Sequence, residues 1–107
     1  MAELHARIYV PGEKIFRVDE TGDSLYLIQN GSVDIVGRNN EIIATLVEGT
    51  IFGEMAMLLN QPRTASAIAN TFCDIYVLKR EAFDRVVQFH PDFAKHLKDV
   101  VEARSAA

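Results

Sequence analysis

From Arg7 to Leu78 short apolar runs alternate with turn-forming clusters at regular intervals: VPGE at 10–13, DETGDS at 19–24, QNGS at 29–32, GRNNE at 37–41 and VEGT at 47–50. Short strands separated by such signals predict an all-β sandwich or barrel. Within this run SLYLIQ and SVDIVG flank Asn30-Gly31, and that dipeptide between apolar segments is the strongest short-range signal for a hairpin. Strands over 24–29 and 32–37 are therefore expected to pair antiparallel.

The alternation is interrupted at Gly53–Asn60, where Met55, Ala56, Leu58 and Leu59 cluster at helical spacing. A helix of one or two turns is expected there. Pro62 biases Gln61 away from the α region, ends that helix and sends Arg63 into a new strand, RTASAIA, followed by CDIYVL. After Lys79 the period becomes helical, with Phe83, Val86 and Val87 on one face and a break at His90-Pro91. A second helix should open with Pro91 near its first position and Asp92 in its first turn. Phe93, Leu97, Val100 and Val101 form its apolar stripe. Arg104 falls about 20° round from Phe93, so its charge shares that side.

Composition narrows the functional classes. A chain of 107 residues, 49% of them hydrophobic, is enough for one small domain with its own core. A net charge of −4 argues against a basic polyanion-binding surface, so no direct contact with nucleic acid is expected. No apolar run approaches the ~20 residues of a membrane span and no signal segment opens the chain, so a soluble, cytoplasmic domain is expected. Cys73, alone in TFCDIYVL, reads as a buried reduced thiol. His5, His90 and His96 have no metal-like spacing with one another or with Cys73, so neither a metal nor a cofactor is expected. Ser66 and Thr64 have no histidine with which to form a nucleophile, so catalysis is not expected. The charges of Lys79-Arg80-Glu81 and of Lys95 to Asp99 read as solvated helix faces.

The chemistry concentrates in residues 52–66, FGEMAMLLNQPRTAS. An arginine leaving a turn beside the start of a short helix makes a compact anion site, because guanidinium donates charge-assisted, bidentate bonds to phosphate oxygens. Gly53 lets a ligand approach the backbone. Glu54 is an odd neighbour for a bare phosphate, but its carboxylate can accept a ribose 2′-hydroxyl while Arg63 holds the phosphate. A nucleotide monophosphate satisfies all three features. An exposed Glu–Arg pair beside a core helix fits the spacing equally well.

The same stretch resembles the phosphate-binding cassette of the cyclic nucleotide-binding domain family, whose pattern is roughly FGE-x-A-L, a variable turn, then R-(A/S/T)-A. VPGEKIF, ETGDSLYLIQNGSVDIV and CDIYVLKREAFDRVVQFHP are similar to the rest of that family's domain, from about Tyr9 to Arg104. The resemblance implies a mainly β fold, an antiparallel β-roll of double-stranded jelly-roll type over about 7–79, with a short cassette helix and two C-terminal helices over about 80–105. It implies that Glu54 binds the ribose 2′-hydroxyl, that Arg63 binds the equatorial phosphate oxygens, and that backbone N–H groups of Gly53, Glu54, Met55 and Ala56 complete the cradle. Thr64 would sit beside phosphate and purine. Val36, Ala44 and Leu46 would line the base pocket, although a core role fits them equally well.

Pro91 and Arg104, thirteen residues apart, resemble the proline and the purine-covering arginine of channel-type members. The expected ligand is cAMP, with cGMP as the alternative. The expected partner is the remainder of a larger parent protein, a membrane channel or homo-oligomer of which the whole chain, 1–107, is one domain. A sensor of a transcription factor or kinase, and an interaction domain that works without nucleotide, remain the alternatives.

Overall fold

The computed structural model describes residues 4–92 together with 95, 96 and 99. Its strands are β1 (His5–Tyr9), β2 (Lys14–Phe16), β3 (Ser24–Asn30), β4 (Val33–Val36), β5 (Ile42–Leu46), β6 (Ile51–Phe52), β7 (Ser66–Ala69) and β8 (Cys73–Lys79). Helix α1 (Glu54–Leu59) interrupts them between β6 and β7, and α2 (Arg80–Phe89) follows β8 directly. The strands form two four-stranded sheets, ordered β1-β8-β3-β6 and β2-β7-β4-β5.

The pairing is nested. β1 pairs with β8, β2 with β7, β3 with β6 and β4 with β5, all antiparallel. The chain thus runs out along four strands, turns at 37–41 and runs back beside itself. That ribbon is rolled so that β3 also meets β8 and β4 also meets β7. This is the β-roll the sequence leads one to expect.

The expected hairpin between 24–29 and 32–37 does not form. β3 and β4 lie in different sheets, and Asn30-Gly31 carries the chain from one to the other. The two-residue hairpin turn favoured by Asn-Gly needs positive φ at both residues. Here Gly31 has φ 97° and Asn30 is not among the positive-φ residues. Both edges of β3 are already taken by β8 and β6. The crossover is pinned by the Asn70 amide donating to Ser32 O at 2.9 Å and the Ser32 amide donating to Thr71 Oγ1 at 3.1 Å.

The alternation of β3 explains the two packed layers. Tyr26 and Ile28 face the space between the sheets, where they join Val33, Phe52, Ala67, Ala69, Ile75 and Val77. Leu25 faces the other way and packs with Leu78, Met57 of α1, and Ala82 and Phe83 of α2. Both helices therefore cover the outer face of the first sheet, and Met57, fully buried, ties α1 to α2. Burying such a side chain contributes about 1.5–3 kcal/mol. Cys73 is buried in the inter-sheet core, as its apolar context predicts. The break at His90 is present, with its amide donating to Val86 O at 2.7 Å. Pro91 and Asp92 are helical. Phe93, Leu97, Val100, Val101 and Arg104 lie outside the described residues.

Candidate functional site

At the end of β6, Gly53 adopts φ 77° and turns the chain into α1, placing Glu54 at the first helical position. A side chain is strained at such a φ, which is why glycine stands there. Helix α1 ends at Asn60 in the left-handed region, and the Gln61 amide donates back to Ala56 O at 3.0 Å. Pro62 bridges to Thr21, and Arg63 then enters the approach to β7.

The turn DETGDS clasps this segment. The Arg63 amide donates to Glu20 O at 2.8 Å and the Asp19 amide donates to Arg63 O at 2.8 Å. Gly22 permits the approach, since a Cβ there would lie 2.4 Å from Ala56 Cβ and 3.1 Å from Arg63 Cζ. Asp19, at φ 73°, is held by a two-pronged bond from Arg38 across the 37–41 turn, 2.8 Å on one arm.

The side chains of Glu54 and Arg63 are both buried, at 1% and 3% exposure. That rules out the solvated Glu–Arg pair that spacing alone left open. The Arg63 guanidinium donates to Gly53 O and, at 2.8 Å, to Ser24 O. Its Cζ lies 4.1 Å from the centre of the Phe16 ring and 5.6 Å from that of Tyr26. Burial pushes the guanidinium below its ordinary pKa, with Tyr26 chief among the groups pulling the other way. The cation is thus held by carbonyl oxygens and ring faces. A buried charge in such a setting favours an anion beside it.

Both residues line one cleft of about 350 Å³. Of the residues singled out from sequence, Gly53, Met55, Ala56, Thr64 and Leu46 line it too. Val36 is buried and Ala44 exposed, and neither lines the cleft. Ala44 pairs directly with Ile35, which does, whereas Val36 follows a register shift after Ile35. Sequence reasoning missed Phe16, Ile35 and Phe52. Aromatic and aliphatic residues in alternating runs read as core, and only the position of Phe52 next to Gly53-Glu54 hinted otherwise. A larger cleft of about 520 Å³ lies between Leu4, Leu78, Val86 and Phe89 and shares no residue with the first.

Comparison with known proteins decides the family. The family model for the cyclic nucleotide-binding domain matches residues 6–90. The chain belongs to the cyclic nucleotide-binding domain family. It is 33% identical over 91 residues to the human potassium/sodium hyperpolarization-activated cyclic nucleotide-gated channel 4, a stretch covering 85% of this chain and 8% of that channel. Among solved structures, the Thermus thermophilus catabolite activator protein superposes with a TM-score of 0.90 at 28% identity, covering 98% of this chain and 51% of that one. A cAMP-bound PfPKA-R superposes with a TM-score of 0.76 at 30% identity, covering 94% of this chain and 36% of that one. The domain therefore spans only a small part of the channels it resembles. Every residue lining the cleft of Glu54 and Arg63 lies inside the matched residues.

Proposed function

We propose that this chain is the cyclic nucleotide-sensing regulatory domain of a larger protein, with cAMP as its ligand and cGMP as a second purine nucleotide it accepts. The observation that supports this most is the burial of Glu54 and Arg63 on one cleft of about 350 Å³ with an apolar wall from Ile35 and Leu46. A guanidinium has more N–H donors than its two carbonyl partners use, so it can also donate to the equatorial phosphate oxygens. Desolvation makes that attraction stronger than at a surface. The Glu54 carboxylate accepts the ribose 2′-hydroxyl, backbone N–H groups of residues 53–56 complete the cradle, and the purine lies along Leu46 with Thr64 at its edge. Arg104, outside the described residues, is the residue assigned to cover the purine on this reading.

The likeness to the human channel supports an ion-channel parent, gated as the C-terminal helix moves with ligand. The fit to the Thermus thermophilus protein supports a second reading, the sensor of an activator protein. The test of the site is calorimetric titration with cAMP and cGMP. Saturable binding is expected, and Arg63→Ala should weaken it by about 2–5 kcal/mol, because truncation leaves a desolvated phosphate unpaired. No saturable heat, or wild-type affinity in a folded Arg63→Ala chain, would reject the reading.

A further inference from the structure

We propose that Phe16 is a positioning residue for the anion site, and that its ring holds the Arg63 guanidinium in its working orientation before any ligand arrives. This rests on the reading of Arg63 as the phosphate-binding group. Phe16 lines the cleft and is only partly buried, so it is not simply filling the core. Its ring centre lies 4.1 Å from Arg63 Cζ, closer than that of Tyr26 at 5.6 Å. It is itself braced by Tyr26 and Phe52, at ring-centre distances of 5.6 and 6.0 Å.

The backbone is arranged to aim it. Lys14 pairs with Ile68 but Phe16 pairs with Ala67, so β2 spends an extra residue at this point. Irregularities of this kind re-aim a side chain and are common beside functional sites. A Cβ on Gly53 would lie 2.8 Å from Arg63 Nη1 and 3.3 Å from Phe16 Cε2, so it would crowd the guanidinium and the ring alike. Glycine at 53 thus leaves the guanidinium room to reach Gly53 O while it keeps its face against the Phe16 ring. A planar cation over an aromatic face gains electrostatic attraction that grows on desolvation. A guanidinium fixed in place also spares the ligand the cost of ordering it.

The experiment is a double-mutant cycle on cAMP affinity. Phe16→Leu keeps an apolar side chain but removes the face, and should weaken binding roughly tenfold, while Phe16→Tyr, which keeps the face, should stay within about twofold of wild type. In an Arg63→Lys background, where the planar group is gone, Phe16→Leu should cost less than about twofold. A loss of equal size in both backgrounds would show a packing effect and overturn the proposal. So would unchanged affinity in Phe16→Leu while Arg63→Lys alone weakens binding, which would leave the phosphate assignment standing. Absence of cAMP binding by the wild-type chain would overturn that assignment and this inference together. A measurement independent of variants is the Arg63 Nε–Hε resonance of the ligand-free chain, which should be shifted upfield by the ring. A resonance at the position of a solvated arginine would overturn the proposal as well.

Discussion

Arg80, the first residue of α2, donates to the carbonyl oxygen of Met57 and, at 2.8 Å, to Asn60 Oδ1 at the end of α1. A residue that reads in sequence as part of a solvated charged face thus joins the cassette helix to the helix behind the β-roll. Cations at helix C-termini satisfy carbonyls that have no partner within the helix. Asn60 in the left-handed region brings its side chain to the same guanidinium. Arg80→Ala should therefore lower the free energy of unfolding by about 1.5–3 kcal/mol, the range for hydrogen bonds to a charged group. Urea denaturation at constant slope measures it. A change under about 0.5 kcal/mol would mean that water replaces both bonds without loss.

What the sequence conveyed and what it withheld follow from the range of each signal. The cassette was legible because Gly53, Glu54, Pro62 and Arg63 act locally, through one sharp turn, one short helix and one helix stop. The wrong pairing across Asn30-Gly31 came from a local rule applied where distant strands compete. β8 and β6 occupy the edges of β3, and nothing near residue 30 announces them. On β4 it is Ile35 and not Val36 that lines the cleft, and the register shift between the two leaves no trace in an apolar run. Phe16 was passed over since its alternation describes a core strand, and only the folded chain brings Arg63 over its ring.

Thr64 lines the cleft, next to buried Arg63, and is itself exposed. A hydroxyl there can bond the exocyclic amino group of a guanine in the syn form, a group that adenine lacks at that position. Thr64→Ala should weaken cGMP more than cAMP by roughly one hydrogen bond, about 0.5–1.5 kcal/mol. Parallel titrations with the two nucleotides give the difference. Equal losses would remove Thr64 from base discrimination and leave it as a phosphate neighbour.

Burial raises the Tyr26 phenol above its ordinary value of 10.0, and the Arg63 charge opposes the rise. The native chain therefore holds this proton more tightly than the unfolded one. That contribution to stability is fully present below about pH 10 and is lost as pH climbs through the folded value, because the unfolded chain ionises first. Tyr26→Phe should make the urea midpoint fall less steeply above about pH 10 than in wild type. Superimposable slopes for the two chains would show that Tyr26 ionises alike in both states.

Glu54 is 1% exposed at the first position of α1, on the same cleft as Arg63. On the proposed reading its carboxylate accepts the ribose 2′-hydroxyl, yet the same negative charge repels the nearby phosphate. Glu54→Gln removes the repulsion and leaves only a neutral acceptor for the hydroxyl, so total affinity is an ambiguous measure of its role. The preference for cAMP over 2′-deoxy-cAMP isolates the hydroxyl, since both ligands carry the same phosphate and base. In wild type that preference should be about 1.5–3 kcal/mol, the worth of a hydrogen bond to a charged acceptor, and in Glu54→Gln it should shrink to about 0.5–1.5 kcal/mol. Competition calorimetry with the two nucleotides on each chain supplies the four affinities required. A preference that survives the substitution at full size would place the 2′-hydroxyl elsewhere in the cleft, and Glu54 would then serve the fold of α1 rather than the sugar.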